Sequence, residues 1–119
     1  MVRSRFVLVA LLPTIACAYG VTSVNLGESW TRVEFEPREF YGPLNVIEFR
    51  HGALRFNKVQ LSETEVVNEI RKEAGLVPRP GVYLRFSRSD YARVGPLAKE
   101  IHDTGACDDG PCMFKVTGS

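Results

Sequence analysis

Strand-like runs of apolar and polar positions occupy five segments of this chain, and apolar positions recur at helical spacing along two others. Trp30 to Glu36 places Val33 and Phe35 on one side and Arg32, Glu34 and Glu36 on the other, which predicts a strand closed by Pro37. Tyr41-Gly42-Pro43 marks a turn. Leu44 to Arg50 and Ala53 to Asn57 are β-rich runs separated by His51-Gly52. That arrangement predicts a hairpin, with Leu54 and Phe56 inward and Arg55 and Asn57 outward. Val82 to Phe86 alternates as a further strand, and Met113 to Thr117 as a last short one.

The period changes in Ser62 to Ala74. Val66, Val67, Ile70 and Ala74 fall on one helical stripe, and Ser62 with Glu65 forms a capping box that occupies two otherwise unpaired backbone N–H groups. Leu61 and Val66 fit the accompanying hydrophobic staple, and Gly75 stands at the usual exit position. A second stripe runs through Tyr91, Val94, Leu97 or Ala98, and Ile101. Gly95-Pro96 interrupts it, and because Pro96 lacks an N–H the expectation is a kink or a helix that begins there. Gly105 closes that helix. The order from the hairpin onward is β-β-α-β-α-β. Strands joined through helices pair in parallel. The fold class expected is therefore α+β, a mixed four- to five-stranded sheet with two one-sided helices on one face.

Composition narrows the class. At 119 residues, 45% hydrophobic and 24% charged, the chain is sized and composed for one globular domain. Its 15 Lys+Arg balance 14 Asp+Glu with no basic block, which argues against nucleic acid as a partner.

The first residues read differently from the rest. Arg3 and Arg5 precede an apolar stretch from Phe6 to Ile15, and Ala16-Cys17-Ala18 supplies an A-x-A cleavage site before Tyr19. That order is a secretory signal peptide over residues 1–18. Two other readings stay open. Cys17 in Thr14-Ile15-Ala16-Cys17 is a candidate lipidation site, and the uncharged stretch between Arg5 and Glu28 is a candidate uncleaved anchor. The expected location is periplasmic or secreted, with membrane contact only in the latter two cases. Tyr19 to Ser29 reads as a flexible arm and 30–119 as a single domain.

Loss of residues 1–18 leaves two cysteines, Cys107 and Cys112. An even pair in an exported chain reads as a disulfide, with the turn formers Asp108-Asp109-Gly110-Pro111 between them. A redox site usually spaces its cysteines by two residues, and a zinc site needs about four ligands where only His51 and His102 are additional. No metal and no cofactor is expected.

Several of these segments resemble the periplasmic domain of the ExbD/TolR family of biopolymer transport proteins. The residues that carry the resemblance are Val46-Ile47-Glu48-Phe49 with Gly52, Leu54-Arg55-Phe56-Asn57, and Ser62-Glu63-Thr64-Glu65-Val66. Val82-Tyr83-Leu84-Arg85, Tyr91-Ala92-Arg93-Val94, Gly105 and Phe114-Lys115-Val116-Thr117 continue it, over about residues 44–118. The resemblance implies a protein-contact module, a possible homodimer and association with an envelope protein or with peptidoglycan. Two positions depart from the family. No Asp or Glu lies between Phe6 and Val24, where family members carry a membrane-buried aspartate, and Ser87-Arg88 stands where an acidic residue is favoured. A proton-driven motor role is therefore not expected.

The function expected is that of an exported, non-enzymatic interaction module. A secreted inhibitor or immunity-type protein that binds one partner enzyme is the alternative. Tyr83, Arg85, Arg88 and Tyr91 form the candidate partner-binding cluster around a strand-to-helix turn; the simpler reading makes them ordinary outward residues. An enzyme would have to combine His51 or His102 with Asp90, Asp103, Asp108 or Asp109. No G-x-S-x-G elbow, H-E-x-x-H pair or phosphate-binding Gly loop accompanies them, so no catalytic residue is assigned.

Overall fold

The computed structural model describes residues 24–118. The leader, its cleavage positions Ala16, Ala18 and Tyr19, and Cys17 lie outside the described residues. Among the described residues, no helix is long and apolar enough to cross a membrane.

Six strands form one mixed sheet: β1 (Trp30–Arg32), β2 (Leu44–Arg50), β3 (Ala53–Phe56), β4 (Val59–Gln60), β5 (Gly81–Ser87) and β6 (Cys112–Thr117). Helices α1 (Glu63–Lys72) and α2 (Tyr91–Asp103) and the single turn α3 (Ala106–Asp109) complete the fold. The sheet order is β1-β6-β5-β2-β3-β4. β2, β5, β6 and β1 run parallel to one another, whereas β3 pairs antiparallel with β2 and β4 antiparallel with β3. The α+β class and the mixed sheet hold. The strand number is corrected from four or five to six among the described residues, because β4 is an extra two-residue strand. The first strand also stops at Arg32 rather than Glu36.

Side-chain alternation decides which sheet face is sealed. Ile47 and Phe49, Leu54 and Phe56, Val82, Leu84 and Phe86, and Phe114 join Val66, Val67 and Ile70 of α1 and Val94, Leu97, Ala98 and Ile101 of α2 in one buried cluster. Both helices therefore cover the same face. α1 begins as its sequence dictates: Ser62 Oγ accepts from Glu65 N at 3.1 Å and Glu65 Oε1 accepts from Ser62 N at 2.8 Å. α2 runs through Pro96 without starting there. A proline in the sixth position removes a single intrahelical bond, and the four buried residues of the stripe hold the helix continuous.

Two hairpin turns use left-handed residues. His51 and Gly52 have φ of 52° and 78° and join β2 to β3, while Asn57 and Lys58, at 50° and 74°, join β3 to β4. Asn57 makes the second turn specific. Its Oδ1 accepts from Val46 N and its own N–H donates to Val46 O, each at 2.8 Å. Its Nδ2 donates to buried Asn45, which donates in turn to Glu73 beyond α1. Buried Arg79 ties the same carboxyl end of α1 down by donating to Ile70 O and to Asp109 of α3, both at 3.1 Å. Cys107 of α3 is disulfide-bonded to Cys112 of β6. The described part of the arm is also attached. Val24 and Leu26 pack on the core, and Asn25 meets Tyr91.

Candidate functional site

Among the described residues, no helix lies on the second face of the sheet. After β1 the chain crosses this face as a strap, Val33 to Tyr41, which contains one 3-10 turn over Pro37–Glu39. The strap covers β5 and β6 only. Tyr83, fully buried on β5, donates its hydroxyl to Phe35 O at 2.6 Å and sets its ring against Phe35 with centroids 6.2 Å apart. Burial raises the Tyr83 phenol above its ordinary value, and the Glu36 charge adds to the rise.

Below the strap, sheet register sets a row of charged side chains across four strands. Arg55 of β3 is opposite Glu48 of β2, Glu48 opposite Arg85 of β5, and Arg85 opposite Lys115 of β6. Glu36 reaches down from the strap to pair with both Arg85 and Lys115. Glu48 lies 3.9 Å from Arg85 on the other side. The hydrogen bond from Lys115 holds the Glu36 carboxyl below its ordinary value, with the positive charges of Arg85 and Lys115 acting in the same direction and burial acting against them. Arg85 Nε is buried with no hydrogen-bond partner.

Where the strap ends, no other described element lies over β2 and β3, and Leu44, Val46 and Glu48 are half-buried there while Arg55 is exposed. A groove of about 520 Å³ runs between Pro37 of the strap and the β3–β4 turn. Val46, Glu48, Arg55 and Arg85 line it from the sheet, with Asn57 and Lys58 from the turn. A second groove of about 800 Å³ follows the carboxyl ends of β2, β5 and β6, past Arg50, His51, Arg85 and Asp90. There the Ser87 hydroxyl lies 2.8 Å from that of Ser89 and donates to Asp90 at 3.2 Å. A third, of about 810 Å³, lies between the β4 edge and α1, flanked by Val59, Leu61, Glu65 and Asn68. Leu61 N donates to Leu54 O, so the N–H and C=O of Gln60 point away from β3. A two-residue edge of this kind offers little to an added strand.

The sequence-predicted cluster is divided. Tyr83 and Arg85 share the strap face, as residues two apart on a strand must, but Tyr83 is sealed and presents no surface. Arg88 is exposed in the 3-10 turn Arg88–Asp90. Tyr91 begins α2, where its hydroxyl donates to Asn25 O at 2.6 Å and accepts from Asn25 N at 3.1 Å. Tyr91 is thus occupied by the amino-terminal segment. His51 stands in the β2–β3 turn and His102 is exposed near the end of α2, on separate elements. Asp109 serves Arg79 and Asp103 pairs with Lys99. Among the described residues, no group of three or more His, Cys, Asp or Glu side chains is placed to hold a metal ion.

Glu36, Glu48, Arg55, Lys58 and Lys115 are the functional candidates that sequence reasoning missed. The available signal was the outward position of Glu48, Arg55, Arg85 and Lys115 on successive strands, which becomes a row only once the register is known. Comparison of the chain with protein-family models, curated proteins and solved structures gives no match.

Proposed function

We propose that the protein is an exported, non-enzymatic interaction module, resembling the periplasmic domain of ExbD/TolR transport proteins, that binds an envelope protein or a cell-wall component. The observation that carries this reading is the bare half of the second sheet face. Helices seal one face and the strap seals β5 and β6, while Arg55 and Arg50 stand exposed beside half-buried Val46 and Leu44. The β-β-α-β-α-β order after β1, with β4 and the single turn α3 inserted, supports the family resemblance. The charged row supports binding over catalysis. Its carboxylate Glu36 is already paired with Arg85 and Lys115, which leaves Arg55 exposed on the same row to meet a charged partner.

Photo-crosslinking in the envelope of an expressing bacterium tests the reading. A photoreactive residue at Arg55 should give a discrete adduct with an envelope protein or with peptidoglycan, whereas one at Lys99, on the exposed side of α2, should not. Equal labelling from both positions, or none from Arg55, would refute it.

A further inference from the structure

We infer that the groove over β2 is a binding site for a carboxylate carried on a small apolar body. This rests on the reading of the bare sheet half as the binding face, and it adds the chemistry of what is bound. The groove and its adjoining row contain four cations, Arg55, Lys58, Arg85 and Lys115, against two carboxylates, Glu36 and Glu48. Glu36 is consumed by Arg85 and Lys115, and Glu48 by its contact with Arg85. Arg55 and Lys58 are exposed on the rim and supply the surplus of positive charge.

A guanidinium presents paired N–H donors that match the two oxygens of a carboxylate. Glu48 stands in the same groove and repels a second negative charge, so a monoanion is favoured over a phosphate dianion. Val46 and Pro37 give the ligand an apolar surface to lie on, and about 520 Å³ falls in the range of small-ligand sites. The site lies on a sheet face and not at an edge, so recognition runs through side chains.

The test is a titration of the full exported chain with hexanoate, followed by amide chemical shifts and calorimetry. Hexanamide is the uncharged control. Hexanoate should shift Val46, Glu48, Arg55 and Asn57 selectively, and hexanamide should bind at least tenfold more weakly. Arg55→Gln combined with Lys58→Asn should weaken hexanoate by about tenfold or more, the loss of one charge-assisted contact, without lowering the melting midpoint. Asn keeps the left-handed turn available. Glu48→Gln should tighten binding. N-acetyl-leucine and hexanoate distinguish a chain terminus from a free acid, the stronger ligand naming the source. Equal binding of hexanamide, shifts outside the groove, or full affinity in the double variant would overturn the site. Hexanoate binding without an Arg55 crosslink would retain the carboxylate site and reject the macromolecular partner; the opposite pair of results would reject the carboxylate.

Discussion

Replacing Tyr83 with Phe removes one hydroxyl from a fully buried ring and leaves the packing volume nearly unchanged. In the native fold that hydroxyl donates to Phe35 O at 2.6 Å, the only side-chain hydrogen bond described between β5 and the strap backbone. A neutral hydrogen bond contributes roughly 0.5–1.5 kcal/mol net, and an acceptor left without partner or water costs roughly 1–3. Phe35 is half-buried, so its carbonyl can recover part of its hydration. The expected loss is about 1 kcal/mol, a fall of roughly 4–8 °C in melting midpoint for a domain of this size. Hydrogen exchange adds the spatial test. Glu39 N and Phe40 N donate within the strap to Glu36 O and Pro37 O, and these amides should exchange faster in Tyr83→Phe. Val66 N in α1 should follow only the global change. An unchanged midpoint with unchanged exchange at Glu39 and Phe40 would show that the hydroxyl does not fasten the strap.

Further outcomes follow from other contacts. Glu36 has a folded pKa below its ordinary 4.5, so its ionisation favours the fold above that value and the benefit is lost as pH falls through the folded pKa. The stability gap between the wild type and Glu36→Gln should therefore be full near neutrality and close in acid; a gap independent of pH would contradict the clasp. Tyr83 shows the opposite sign. Its folded pKa is raised from 10.0, so stability present below 10 is lost as pH rises through the folded value, and alkaline absorbance titration should register one phenol above the ordinary range. Ser62→Ala removes the α1 cap and should cost about 1 kcal/mol in chemical denaturation. Lys58→Gly relieves a φ of 74° and should stabilise by up to about 1 kcal/mol. Reduction of Cys107–Cys112 should cost about 2 kcal/mol, as expected for so short a loop.

Local patterns in the sequence account for much of this fold. The His51-Gly52 hairpin, the Ser62–Glu65 box and the two apolar stripes are each written within a few residues, and each forms. The features that were illegible depend on distant partners. Val33, Phe35 and Glu36 alternate like a strand, but Tyr83 captures the Phe35 carbonyl while Arg85 and Lys115 capture Glu36, and these interactions hold the chain on the sheet's face. Lys58 lacks the turn chemistry of a glycine, so the second hairpin is visible only through the bonds Asn57 makes to Val46. Tyr91 looked like part of an aromatic–basic surface, yet its hydroxyl is claimed by Asn25. The charged row spans four strands, and strand register is a property no single segment carries.

The pairing of β1 with β6 has a consequence for the order in which the molecule is completed. Trp30 meets Cys112 across the sheet, so one of the earliest described segments to be synthesised docks on the last strand. The β2–β3–β4 unit and α1 can organise from neighbouring residues, but closing β1 onto β6 brings together remote parts of the chain and is intrinsically slow. Until β6 arrives, Trp30 lacks its partner Cys112 and Glu36 lacks Lys115. The edge strand and the Lys115 end of the charged row are thus completed last, whereas the β2–β3–β4 side of the sheet, with Arg55 and Lys58, draws on residues close to it in the chain.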